Sequence, residues 1–197
     1  MLNRLTVAAA FLAASAVLAY GQSNLKPDAT PRLPAQPGQG LPLEDQAFFS
    51  HAENLSAAVI DAGRACAAKA DDAQVKALGE DLVAVHTAQL EKTRALADRF
   101  KAARAPAAAA HPWDAEIATL KGLSGEALDR ECLRWYWRAH MALVDLYQAQ
   151  ASQTPENDLA KFAILSLAQI QERFDRVRPL GAKYGLKTET LGQPPQY

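Results

Sequence analysis

The segment LEDQAFFSHAENLSAAVIDAGRACAAKA, residues 43–70, decides the fold. Phe48, Ala52, Leu55, Val59, Ala62 and Cys66 recur in it at steps of four, three, four, three and four. Such steps keep every apolar side chain on one face of an α-helix, because 3.6 residues complete a turn. A strand would need strict alternation, and none is present. The segment therefore predicts one long helix with a single buried stripe, which must pack against other helices.

The pattern repeats downstream. A second helix starts near Asp71 or Asp72, whose charge suits a helix N-terminus. It carries Val75, Leu78, Leu82, Val83, Val85, His86, Leu90 and Leu96, and fades near Ala105-Pro106. A third is capped by Ser124 and runs to about Gln153. Leu128, Cys132, Trp135, Ala139, Leu143 and Leu146 lie on one face, with Tyr136, His140, Val144 and Tyr147 beside them. A fourth opens with Thr154-Pro155-Glu156, an N-cap followed by proline at the first helical position. Leu159, Ala163, Leu167, Ile170, Phe174 and Val177 form its face. Pro179 and Gly181 are expected to end or kink it, and Gly185 to close its last turn.

Helices 1 and 2 meet almost without a loop, as do 3 and 4, so each pair reads as an antiparallel hairpin. The stretch between helices 2 and 3 holds Pro106, Pro112 and Gly122, with a short helical patch near Asp114 to Leu120. It is long enough to travel along a bundle. The expected fold is thus all-α: a ferritin-like four-helix bundle with a long helix 2–helix 3 crossover.

The flanks divide the remainder of the 197 residues. Residues 1–21 read as a secretory signal peptide. Arg4 precedes an apolar run from Leu5 to Leu18, short for a membrane span, and small residues then suit cleavage after Ala19 or Gly21. No lipobox cysteine is present. The rival reading is an uncleaved N-terminal anchor, so that the membrane is touched only through that segment. Residues 22–42 form a Pro-rich linker, 43–186 the bundle and 187–197 a polar tail. The expected location is the periplasm or cell envelope. Net charge is −1 with mixed signs, which excludes a nucleic-acid footprint. Cys66 and Cys132 could pair in an oxidising compartment, or could be two small buried apolar residues.

Several marks along the chain resemble a bacterial exported family of unknown function in the ferritin-like superfamily, often labelled predicted outer-membrane proteins. They are Asp45-x-x-Phe48, Leu82-Val83-x-x-His86-Thr87, Leu123-Ser124-Gly125 with Leu128-Asp129-Arg130, His140, and Leu159-x-Lys161-Phe162-Ala163. The resemblance spans roughly Asp45 to Leu186 and implies a fold and an envelope location, with no mechanism. Such proteins tend to carry Asp where this chain has Val85, Glu where it has Val59, and His where it has Arg173.

A di-metal carboxylate site needs two inward glutamates and two Glu-x-x-His pairs. Val83 stands three before His86, and Trp137 three before His140, so neither pair exists. A simpler transition-metal site on His86 and His140 would suit zinc or copper. The alternative is two histidines hydrogen-bonded to neighbouring helices. His51 and His111 look peripheral. In Arg134-Trp135-Tyr136-Trp137-Arg138, five consecutive residues circle the helix. Trp135 and Tyr136 should face the core. Trp137, flanked by Arg134 and Arg138, is then a candidate exposed partner contact, or packs under the crossover near Trp113. There is no Gly-x-Ser-x-Gly, phosphate loop or Cys-x-x-Cys.

The favoured expectation is a non-enzymatic envelope protein that binds a protein partner, in a stress-protective, inhibitor or immunity-type role, without a cofactor. The alternatives are a metal-binding ferritin-like protein or oxidoreductase using the bundle histidines, and a small-molecule or lipid binder with a pocket near Trp135 and Tyr136.

Overall fold

A computed structural model describes residues 41–103, 112–152 and 158–187. Five helices are found among them: α1 (Leu43–Lys69), α2 (Ala73–Arg99), α3 (Asp114–Gly122), α4 (Gly125–Ala151) and α5 (Asp158–Lys183). The four long ones make two antiparallel hairpins, α1/α2 and α4/α5. The connection from α2 to α4 must return along the bundle, because α2 ends at one pole and α4 begins at the other. The short patch expected in this crossover is α3, which packs on α1 and α4. The signal peptide, nearly all of the linker and tail, Pro106, His111 and Thr154-Pro155-Glu156 lie outside the described residues.

The expected apolar stripes do form the core. Phe48, Ala52, Leu55, Val59, Ala62 and Cys66 are all buried along α1, against Val75, Leu78 and Leu82 of α2 and Leu128, Cys132 and Leu143 of α4. Two small residues set the approach of α1 to α2. A Cβ added at Gly79 would meet the backbone of Ala67 and Gly63 at 2.9 Å, so only glycine lets the helices come this close.

Helix ends follow local chemistry. Asp72 caps α2, its Oδ1 accepting from the amides of Gln74 (2.7 Å) and Val75 (3.3 Å). Ser124 occupies the N-cap of α4 without a side-chain hydrogen bond. Pro179 does not end α5, which runs on to Lys183. Pro179 is exposed, so the carbonyl its missing N–H cannot reach lies on the solvent side. The helix ends where expected, at Gly185. Its φ of +68° lets the Leu186 amide reach back to the Gly181 carbonyl at 3.0 Å.

Cys66 and Cys132 are joined in a disulfide that ties α1 to α4. The helices α1 and α4 are not adjacent in sequence, so the bond closes a long loop across the two hairpins.

Gly79→Ala should destabilise the fold by about 1–3 kcal/mol through overpacking, despite alanine's better helix propensity. Gly122→Ala, where an added Cβ meets nothing within 4 Å, should be neutral or mildly stabilising; urea denaturation of both checks this. Reduction should lower stability by about 4 kcal/mol, the loop-closure entropy for a sequence separation of 66. The urea midpoint with and without reductant reads it directly.

Candidate functional site

His86 of α2 and His140 of α4 meet inside the bundle. Their rings stand edge to face with centroids 5.7 Å apart, and both are buried. His140 Nδ1 lies 2.9 Å from the carbonyl of Tyr136, one turn earlier. A carbonyl only accepts, so Nδ1 carries the proton and donates it. Burial pushes the His140 pKa down to about 4, with Arg173 adding to the effect and the Tyr136 carbonyl opposing it. The ring is therefore neutral near pH 7, and Nε2 holds a bare lone pair with no hydrogen-bond partner. Nδ1 of His86 is likewise buried and unpartnered. Burial holds the His86 pKa well below its ordinary value, and the nearby His140 and Arg173 hold it lower still.

Arg173 of α5 supplies the charge at this site. Its Nη1 donates to the Gln169 carbonyl at 2.9 Å, and its Nε lies 3.7 Å from Asp81 of α2, beyond hydrogen-bond reach. Asp81 also faces Arg176 at 3.6 Å. Val59, at the position where the resembled family tends to carry glutamate, is fully buried on α1. The donor set is thus two neutral imidazoles beside a guanidinium. Among the described residues, no group of three His, Cys, Asp or Glu is placed to hold a metal ion. These residues do not fit a di-metal carboxylate centre.

Trp137 is not exposed. It is 3 % accessible, and its ring packs on Phe174 of α5 with centroids 4.2 Å apart. Of the two expectations, exposed contact or packing under the crossover, packing holds, but against α5 and not beside Trp113. In fact α4 is in contact with α1, α2, α3 and α5, so Trp135, Tyr136 and Trp137 are all buried in succession. Arg138 is likewise committed inward. It pairs with both oxygens of Glu116 on α3, at 2.9 and 3.0 Å, and lies over the Trp113 ring. Trp113 in turn stacks edge-on against Trp135. Arg138 and Trp135 therefore clasp the crossover helix to the bundle. Arg134 pairs with Glu131 on its own helix at 2.5 Å. His51 is half-buried on α1.

Sequence reasoning missed two features. One is a second buried polar network, in which Gln89 Nε2 donates to Tyr147 Oη (3.0 Å) and Ser166 Oγ (2.8 Å), joining α2, α4 and α5. The other is a groove of about 490 Å³ between α2 and α5, just beyond that network. Leu96, Phe162 and Leu165 give it an apolar floor, and Lys92, Arg99 and Lys161 stand at its rim. Leu165 is 70 % exposed and Ile164 next to it 46 %. Periodicity placed Leu165 off the core face, and that was the available signal. A second depression of about 460 Å³ between α1, α2 and α3 is more polar, and its charged residues Asp61 and Arg64 face each other at 3.5 Å.

A family model described as a domain of unknown function, DUF4142, matches residues 30–180. The chain belongs to the DUF4142 family. The family is one of unknown function. Two solved structures share the fold. A DUF305 fragment from Deinococcus radiodurans is 18 % identical with a TM-score of 0.64, covering 74 % of this chain and 99 % of its own. A DUF305 protein from Streptomyces coelicolor, described as secreted, is 17 % identical with a TM-score of 0.61, covering 73 % and 94 %. At these identities the likeness is one of fold. No curated protein matches the chain. No helix among the described residues is long and apolar enough to cross a membrane.

The histidine pair makes stability depend on pH. Both folded pKa values lie below the unfolded value of 6.5, so below pH 6.5 the unfolded chain binds protons that the native state refuses. Stability is full above pH 6.5 and falls as pH drops toward about 4. For His140 alone the loss is about 3 kcal/mol, at roughly 1.4 kcal/mol per pH unit. Thermal midpoints between pH 7 and 4.5 should show the slope, and a His86→Gln, His140→Gln double variant should flatten it.

Proposed function

We propose that this chain is an exported helical-bundle protein that acts by holding a partner against the seam between α2 and α5, without catalysing a reaction. The single observation that carries the reading is the α2–α5 groove, whose apolar floor is open to solvent. Exposed apolar surface of this kind is where partners dock. The other conspicuous side chains have structural duties. Trp137 and Arg138 hold α5 and α3, and the Gln89 network joins three helices. A stress-protective, inhibitor or immunity-type role suits a braced bundle of this kind.

Export is supported by the signal-like residues 1–21, by a disulfide that persists in oxidising compartments, and by the secreted description of one structural relative. The long crossover supports kinship with ferritin-like bundles, a fold-level analogy without chemistry.

A second reading places one transition-metal ion between His86 and His140. Its support is the tautomer: Nδ1–H of His140 is bound to a carbonyl, which turns a free Nε2 lone pair into the interior, as in metal-ligating histidines. Arg173 opposes it, since a guanidinium beside both rings repels a cation. Elemental analysis of the purified protein, with His86→Ala alongside, separates the two readings. Stoichiometric metal lost in the variant would favour the second.

The contact reading is tested by site-specific photo-crosslinking in intact cells. A crosslinker at position 165 should give a discrete adduct that one at Gln148, on the exposed side of α4, does not. Leu165→Glu should leave folding stability within about 0.5 kcal/mol, as for most surface changes. Equal labelling at the two positions, or none at 165, would refute the assignment.

A further inference from the structure

The chemistry of the groove narrows its occupant. Resting on the reading of the α2–α5 seam as the contact surface, we propose that it receives an amphipathic helix of a partner protein whose apolar stripe is edged by acidic residues.

Register comes first. The α2 wall is built from Lys92, Ala95, Leu96 and Arg99, and the α5 wall from Asp158, Lys161, Phe162 and Leu165. Each set follows the steps i, i+3, i+4 and i+7, one face of a helix over two turns. The groove therefore runs along the helix axes for roughly 10 Å, at 1.5 Å per residue. It begins where the Gln89–Ser166 hydrogen bond stops closing the seam, and it ends at the Arg99–Asp158 ion pair. An elongated apolar slot parallel to two helices is the shape that another helix fills, with its i, i+3, i+4, i+7 side chains on the floor.

Charge comes second. Arg99 and Asp158 pair across the far end and cancel each other. Lys92 and Lys161 have no acidic partner among the described residues, and both are exposed. They stand on opposite walls. Because α2 and α5 are antiparallel and Arg99 faces Asp158, Lys161 lies level with about Leu96, one turn along the axis from Lys92. A single anionic headgroup would reach one of them. Two carboxylates a turn apart, on opposite edges of an apolar stripe, reach both, which selects a helical segment over an acyl chain. Such rim charges act mainly through encounter rate and specificity, and they weaken with salt.

The test uses the full oxidised protein and fluorescent helical peptides of one design, with a Leu/Ala stripe flanked by Glu or by Lys, and sodium laurate as competitor. The acidic peptide should bind at least ten-fold tighter than the basic one, more weakly at high salt, and should not be displaced by laurate. Lys92→Glu with Lys161→Glu should reverse the preference while leaving circular dichroism unchanged. Equal affinity for the two peptides, binding that survives charge reversal, or displacement by laurate would each overturn the proposed occupant. So would failure of both peptides to bind while the position-165 crosslink persists, and the contact reading would then stand. If Leu165→Glu leaves peptide affinity unchanged, the groove is not the contact surface, and the reading beneath the proposal fails with it.

Discussion

The carboxylate of Asp129 is the constraint on which the rest of the bundle hangs. It is buried at the start of α4, yet it belongs to the α1–α2 turn, where it accepts the backbone N–H groups of Asp71 (3.1 Å) and Asp72 (3.0 Å). A turn this short leaves amides that no helix can satisfy, and a buried amide without an acceptor costs about 1–3 kcal/mol. Tyr184, just past α5, donates its hydroxyl to Asp129 at 3.3 Å and to Asp72 at 2.9 Å, and Lys183 pairs with Asp72. Those contacts hold the Asp72 carboxyl well below its ordinary pKa. One turn below, the Cys66–Cys132 disulfide fastens α1 to α4. Four helix ends are thus tied at a single pole.

The opposite pole is held differently. Gln150 donates to Asp45 at 2.9 Å and joins α4 to α1, and an ion pair between α2 and α5 at this end, Arg99 with Asp158, is exposed. Exposed pairs contribute little, about 0–1 kcal/mol. The groove opens between α2 and α5 at this end, and the function proposed for the chain is placed there. The histidine pair lies between the two poles, buried in the interior. Its neutral rings act as packing in the resting protein and as a source of strain once acid reaches them.

How much of this was legible in the sequence depended on the range of the interaction. The α1 stripe from Phe48 to Cys66 is set by local geometry, and its recurrence was visible by counting. The Asp72 cap and the Gly185 stop are local too, and both held. The disulfide was left open because periodicity puts Cys66 and Cys132 on apolar faces without saying that those faces meet. Trp137 was left open between an exposed contact and packing under the crossover, because a helical wheel presumes one buried side; it packs, on Phe174 of α5, since α4 is in contact with all four other helices. Pro179 does not end α5, one of the two outcomes expected of it, since a solvent-facing carbonyl tolerates the lost hydrogen bond. His86 and His140 were singled out by type, but their mutual contact and the guanidinium of Arg173 beside them arise from three separate helices. The groove was invisible for the same reason: Lys92 and Lys161 read as ordinary solvated surface until α2 and α5 are set side by side.

The central claim is an asymmetry, a bundle fastened at the Asp129 pole and loosely closed at the groove. Native-state amide hydrogen exchange measures it residue by residue. Protection in α2 should be highest from Val75 to Leu82 and lower from Lys92 to Arg99, and in α5 higher near Val177 than near Lys161. Uniform protection along both helices, or stronger protection at the groove end, would contradict the account.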